Sequence, residues 1–277
     1  MEELKLEVLI SAMYQKDFSI AERTGIQGDV LIINQCDEDA YQEKQTANGL
    51  WRMISVNARG LAKSRNMALD NAKGDILLFC DDDETLEGNY NEIILNAYKE
   101  LPKATSIVFN INRINNQLKK NYYKITQVKL APKYRGYGTP MITVRRADIA
   151  RYKIRMNEKF GSGTQWGGGE ERLFQGDIQK RRLKMYEYPA TIATVDYGNG
   201  SQWFKGYNEK YFYNLGAFCQ YKYGKNFIAR GLRYLYTCYK LRREKKLGPL
   251  KKIKWMRLGA KGIKKDVTYA EFVEKKK

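Results

Sequence analysis

RGLAKSRNMALDNAKGDILLFCDDDE, residues 59–84, holds the order of elements that decides the fold. Arg59–Gly60 breaks the chain. Leu61, Ala68, Leu69 and Ala72 then recur at helical spacing as far as Gly74, a candidate C-terminal cap. DILLFC (75–80) is a short apolar run that reads as a buried strand, and Asp81, Asp82 and Asp83 follow it at once. Ligands of open α/β sheets bind beyond the carboxyl ends of strands, which is where this order places the three acids. Adjacent carboxylates repel one another unless a cation or hydrogen-bond donors offset the charge. A hard divalent ion, Mn2+ or Mg2+, does so and keeps positions free for phosphate oxygens. An extended segment points Asp81 and Asp83 the same way. The plainer reading is a solvated acidic turn, or a helix N-cap from Asp83 or Thr85. The buried strand ahead of the triplet favours a site.

Outward from this stretch, LEVLIS (6–11) and DVLIIN (29–34) read as buried strands and WRMISV (51–56) as a third. A helix is predicted from Asn89 to Leu101, stopped by Pro102. This alternation argues for a largely parallel sheet covered on both faces. TSIVFNINR (105–113), Asn115–Asn116 and NYYKITQV (121–128) suggest a hairpin-like pair, followed by a strand in GTPMITVRR (138–146). FGSGTQWGGGEERLF (160–174) is glycine-rich and turns helical at Glu170, and LKMYEYPATIATV (183–195) reads as one or two final strands. The expected organisation is a core of residues 1–200 and a basic, aromatic, helical appendage of residues 201–277.

Composition narrows the chemistry. The 277 residues are 43% hydrophobic, enough for a sizeable core. Fifty Lys and Arg against 31 Asp and Glu give a net charge of +19, a field that attracts polyanions. Histidine is absent, so acid–base work near neutral pH falls to carboxylates, Lys, Tyr or Cys, and a metal site must be built mainly from oxygen. Cys36, Cys80, Cys219 and Cys238 form no C-x-x-C pair and read as reduced thiols. The opening MEELKLEVLISAMY carries acids rather than a basic leader, and no apolar run approaches the roughly 18 residues of a membrane span. The expectation is a cytoplasmic protein that is not integral to a membrane.

Residues 59–84 resemble the central signature of family 2 glycosyltransferases of the GT-A fold, at Gly60, Arg65–Asn66, Ala72, Gly74 and Asp81 to Asp83. The resemblance extends over about residues 5–200. It implies an α/β fold of three layers, α/β/α, with a mostly parallel mixed sheet, to which the basic helical extension is added. It also implies inverting, metal-dependent transfer from a nucleotide-sugar donor, UDP-linked, to a hydroxyl of a saccharide or lipid-linked glycan acceptor in bacterial glycan assembly. Carried over, Asp83 is the main metal ligand, Asp81 the ribose or second metal contact with Asp82 beside it, and Arg65 lies near the nucleotide. The plain role of Arg65 is a surface arginine on an amphipathic helix. IINQCDED (32–39) corresponds to the family's base-binding turn, with Asn34 and Gln35 where acids are common and Asp37 following. GGGEERLF (167–174) is similar to the acidic pair that opens a late helix, which makes Glu171 the base and Glu170 the alternate. A helix N-terminus favours acids for its own reasons. Trp166, Tyr137 and Trp203 offer ring faces for sugars or else serve as core aromatics.

In the tail, Arg242, Arg243, Lys245, Lys246, Lys251 and later cations crowd around Leu250, Ile253, Trp255, Met256, Leu258 and Ile263. That pattern suits a helix on the anionic inner face of a membrane, and a solvated basic face or a nucleic-acid patch would look alike. Two rivals have a basis in the sequence. DDDET (81–85) fits the D-x-D-x-T motif of haloacid-dehalogenase phosphatases, with Asp81 as nucleophile, but some 80 residues precede it and Gly176–Asp177 lacks a second Asp four residues on. Net charge and aromatic content suit a nucleic-acid-binding protein, yet acids occupy the middle of the chain, so no nucleic-acid partner is expected.

Overall fold

The structure is a computed structural model that describes residues 3–115, 123–198 and 206–275. The chain divides into two compact units, Met1–Glu158 with Glu170–Gly200, and Lys159–Gly169 with Ser201–Lys277.

The first unit is built on one mixed sheet. The apolar runs near the N-terminus form β1 (Leu6–Met13), β2 (Asp29–Gln35), β4 (Leu50–Val56) and β5 (Ile76–Cys80). β4, β2, β1 and β5 lie side by side and parallel. Residues of both parities are buried along β1, β2 and β5, so both faces of this run are covered. β3 (Ala40–Gln45) closes the edge antiparallel to β4. Beyond β5 come β9 (Ile142–Arg145), β7 (Ala104–Ile114), β10 (Lys184–Asp196) and β6 (Glu84–Leu86), while β8 (Lys129–Leu130) pairs with β10. α1 (Ser19–Arg23) follows β1; α2 (Leu61–Asn71) packs on β1 and β2, and α3 (Tyr90–Glu100) on β1, β7 and β10. α4 (Arg146–Arg151) follows β9, and α5 (Glu170–Lys180) packs on β10.

Three sequence expectations are corrected here. The hairpin over 105–128 does not form: β7 pairs with β10 in parallel and with β9 antiparallel, and 123–128 is irregular. Residues 116–122 lie outside the described residues. The expected strand at 138–146 is a 3-10 turn (Thr139–Met141), then β9, then the start of α4. Gly74 does not cap α2, which ends at Asn71 with Ala72 extended. Gly74 instead lets the chain pass against β1, where a Cβ would stand 2.6 Å from the Cβ of Glu7. Glu7 is buried, paired with Arg52 at 2.5 Å, and accepts the N–H groups of Lys73 and Gly74.

The second unit contains α6 (Glu209–Tyr223), α7 (Phe227–Lys240), α8 (Pro249–Lys264) and α9 (Tyr269–Glu274). Asn208, Asn226 and Thr268 cap α6, α7 and α9 through their side chains. α6 and α8 cross at backbone distance: a Cβ on Gly216 would sit 1.9 Å from the Met256 carbonyl, and one on Gly259 1.8 Å from that of Tyr213. Trp255 packs against Tyr269 and Phe272, and Met256 and Lys252 are buried. Of the apolar residues of α8 that the sequence offers to a membrane, Met256 and Trp255 are thus spent on packing between helices, Ile253, Leu258 and Ile263 are half-buried, and Leu250 stays exposed. Among the described residues no helix is long and apolar enough to cross a membrane, and all four cysteines are free thiols.

Candidate active site

The carboxyl end of β5 delivers Asp81, and a turn at Asp82–Asp83 leads into β6. The turn overrides the strand alternation expected for this segment. It brings the carboxylates of Asp81, Asp83 and Glu84 within 4.8 Å of one another. Glu84 is 3% exposed, and its carboxylate oxygens make no hydrogen bond of ordinary geometry among the described residues, with only weak approaches from the Cys80 thiol and the backbone of Asp81. Burial, then Asp81 and Asp83, hold its carboxyl well above the ordinary glutamate range. Burial and the adjacent Asp81 and Asp82 push Asp83 up to about 6. Burial and Asp81 likewise raise Asp82. Across from the turn, the backbone N–H of Asp196 at the end of β10 donates to the Asp83 carbonyl at 3.4 Å.

Arg65, on the second turn of α2, joins this edge to α5. Its guanidinium meets Asp81 at 2.6 Å, Glu170 at 3.4 Å and Glu171 at 3.8 Å. Arg65 is 2% exposed, so the plain role of a surface arginine is excluded. Burial pulls its pKa down, but Asp81, Glu171 and Glu170 outweigh it and hold the group above the ordinary arginine value. Within α5's first turn the two acids differ. Glu170 is buried, and burial followed by its neighbour Glu171 raises its pKa against the pull of Arg65. Glu171 is partly exposed and accepts the Thr139 hydroxyl and, at 3.2 Å, the Thr139 N–H. One helical turn on, Gln175 exchanges hydrogen bonds with the backbone of Tyr137, so α5 grips residues 137–139 at two points.

The residues expected to form a base-binding turn take different places. Asn34 is buried and fully used: its amide donates to the Gln15 carbonyl and to Ser55, and its oxygen accepts the Gln15 N–H. Gln35 is buried and accepts the Gly60 N–H at the start of α2. Asp37 stays at the surface, paired with Arg59, whose guanidinium also donates to the Tyr14 hydroxyl at 2.8 Å. Tyr14 is 57% exposed at the end of β1 and has φ +53, a conformation rare for a residue with a side chain. Tyr14, Arg59, Glu84 and Thr139 are the site residues that sequence reasoning missed. Only Glu84 carried a signal, as the fourth acid of DDDE.

Two aromatic expectations change. Trp166 belongs to the second unit and lies stacked on Tyr213, ring centroids 6.2 Å apart at 9°, so that face is not free for a sugar. Tyr137 is buried and donates its hydroxyl to Glu187. Trp203 lies outside the described residues.

Chemically, the arrangement offers an oxygen-only cradle for a hard cation at one end, a buried guanidinium in the middle and a solvent-reachable carboxylate at the other end. The weakly partnered oxygens of Glu84 fit a cation, because ion coordination would replace the hydrogen bonds they lack.

Residues 6–159 match the family model described as Glycosyl transferase family 2. No curated protein matches the chain by sequence. Among solved structures, the chain is similar to crystal structures of S. aureus TarS 1–349. With UDP-GlcNAc the identity is 14% and the TM-score 0.57, covering 80% of this chain and 68% of that one. A second TarS 1–349 structure gives 12% and 0.58, with 96% and 93% covered. The complex with UDP gives 12% and 0.53, with 78% and 66% covered. At these identities the likeness establishes a GT-A fold.

Proposed function

Since the chain belongs to glycosyl transferase family 2, we propose that it transfers a sugar from a UDP-linked donor to a hydroxyl of a saccharide or lipid-linked glycan, with inversion and with the help of Mn2+ or Mg2+. That it is a glycosyltransferase follows from the family. Donor, metal, stereochemistry and acceptor are our reading of the site.

The observation that carries the reading is Arg65, which ties the Asp81–Asp83–Glu84 cradle to the Glu170–Glu171 pair. Asp81, Asp83 and Glu84 would hold the cation, which when bound neutralises charge on a leaving diphosphate. Asp82 borders this donor site. At the rim, Tyr14 offers a ring face and Asp37 and Arg59 offer polar edges to a nucleobase; Gln35 positions the start of α2, and Asn34 braces the turn. Glu171 is the proposed base. Its carboxylate is open to solvent and oriented by Thr139, so it can take the proton of an attacking hydroxyl. Glu170, buried against Arg65, fixes the helix start and the guanidinium. The phosphatase alternative finds no support, since residues 6–159, which include the acidic triplet, match the glycosyl transferase family 2 model.

Calorimetric titration of UDP with and without Mn2+ tests the reading. Wild type should bind the two jointly, Asp83→Ala should lose the coupling, and Glu171→Gln should keep it while losing turnover by about 10²–10⁴-fold. Sugar transfer by Glu171→Gln at the parental rate refutes the base assignment.

A further inference from the structure

α7 is amphipathic in the reverse sense. Its inward strip is narrow: Tyr234 and Thr237 are buried, continued by Leu241, and the Tyr234 hydroxyl donates to the Met256 carbonyl at 3.2 Å. Phe227, Ile228, Leu232, Leu235, Tyr236 and Tyr239 lie on the opposite arc, each between 51% and 71% exposed. At 100° per residue these six fall within one half of the helix, so they form a continuous ridge about 20 Å long. A helix that was merely loose would roll this ridge inward, and α7 is fixed against doing so. Asn226 caps its start at 2.9 Å. Arg230 ties its first turn to Gln220 and the Gly224 carbonyl. The buried ammonium of Lys252 donates to the carbonyls of Leu241 and Glu244 just past its end, at 2.8 and 3.0 Å.

The charge around the ridge selects its occupant. Residues 224–251 contain nine Lys or Arg and one acid, Glu244. Lys240, Arg242, Arg243, Lys245 and Lys246 are all exposed. Arg233 and Arg242 place their guanidinium groups 5.4 and 4.5 Å from the ring centres of Tyr236 and Tyr239, binding cation and amphipathic ring into one belt. A second copy of this chain would bring the same positive belt against itself, at a net charge of +19 per chain. Nucleic acid would satisfy the cations and leave the Leu and Ile ridge in water. An anionic lipid surface takes both: apolar side chains enter the acyl boundary while Lys and Arg meet the headgroups.

We propose that the outward face of α7 docks on an anionic bilayer, with Phe227, Ile228, Leu232 and Leu235 entering it and Lys240, Arg242 and Arg243 on the headgroups. The inference moves the membrane contact from α8, where the sequence suggests it, to α7. It is independent of the catalytic reading, because neither readout below involves nucleotide or sugar.

The test is co-sedimentation of the full chain with vesicles of phosphatidylcholine alone and with vesicles of phosphatidylcholine and phosphatidylglycerol in equal parts. Binding is expected with the anionic vesicles only, weakening as salt is added. Leu232→Glu/Leu235→Glu should lower it at least about a hundredfold, since two apolar anchors become acids facing anionic lipid. Arg242→Gln/Arg243→Gln, which leaves the ridge intact, should lower it roughly thirtyfold. Circular dichroism and melting temperature should stay at wild-type values in both. Absence of binding to anionic vesicles overturns the proposal, as does equal binding by the glutamate variant. Self-association in sedimentation velocity that the glutamate variant abolishes, without vesicle binding by the wild type, assigns the ridge to a second copy and also overturns it.

Discussion

Replacing Glu84 by Gln separates a cation ligand from a structural acid, because the two roles predict opposite signs. Its carboxylate lies within 4.8 Å of Asp81 and Asp83, where each ionised pair repels by about 3.5 kcal/mol at an effective dielectric of 20. With no cation, burial and the charge of Asp81 outweigh weak hydrogen bonding from the Asp81 backbone and the Cys80 thiol, and the folded protein keeps Glu84 protonated well above the unfolded value of about 4.3. The sign follows: as pH rises past that value the unfolded chain releases the proton and the folded one does not, so stability falls toward alkaline pH. Glu84→Gln removes this loss, and the EDTA-treated variant should melt at or above wild type, with the advantage growing as pH rises. With Mn2+ the order reverses. At a metal concentration of about 100 times Kd, wild type gains about 2.7 kcal/mol. Losing one carboxylate should weaken affinity about 10–100-fold, which leaves the variant a gain of about 0.4–1.4 kcal/mol. At about 2–4 °C per kcal/mol for a domain of this size, the wild-type shift of about 5–11 °C shrinks to about 1–6 °C. Differential scanning fluorimetry with EDTA and with Mn2+ reads both effects. A variant that melts lower in EDTA yet keeps the full Mn2+ shift would falsify the assignment and make Glu84 a core residue.

Arg65→Ala strands two or three acids around a buried gap and should cost about 3–5 kcal/mol in urea unfolding, well beyond the loss expected of a surface arginine. Gly259→Ala puts a methyl 1.8 Å from the Tyr213 carbonyl, so α6 and α8 must separate. The cost should be at least about 1–3 kcal/mol, visible as earlier proteolysis within residues 201–277 and little change in the first unit. Asp83, pushed up to about 6, must lose its proton to hold a cation. Mn2+-dependent UDP affinity should therefore rise with pH through that value and level off above it, and a flat calorimetric pH series would exclude Asp83 as a ligand.

Legibility in the sequence followed the range of the interaction. β5 and the acids after it sit in one short stretch, and local patterning was enough to place them at a strand's carboxyl edge. Glu84 was missed because a turn at Asp82–Asp83 breaks the period of two that parity arguments require. β3 was invisible: all six of its residues are exposed, so burial imposes no apolar alternation, and only Asn48–Gly49 marked the hairpin turn. In 105–113 the apolar run correctly signalled a strand but carried nothing about its partners, of which β10 begins some 70 residues later. Trp166 is four residues from Glu170 in the chain and is stacked on Tyr213 in the other unit. Three successive glycines with positive φ, Gly167 to Gly169, intervene, and adjacency in sequence says little across such a bend. The helical period of α7 was readable, but which arc faced outward depended on α6 and α8.

The lack of histidine gives these separate features a common logic. Five carboxylates converge, and the ion pairs of Arg65 reach three of them: Asp81, Glu170 and Glu171. A guanidinium cannot leave or lose its proton at working pH, so it offsets the charge of the acids it holds at every working pH. Asp83 and Glu84 lie outside its ion pairs, and their raised pKa values reflect burial and neighbouring acids that no protein cation among the described residues offsets. A diphosphate approaching that edge alone meets repulsion, whereas one that arrives with a divalent ion meets attraction. On the proposed reading, the division between a permanent cation on the base side and an exchangeable one on the donor side would make metal and nucleotide bind together, with Glu171, the more exposed of the α5 acids, facing the acceptor.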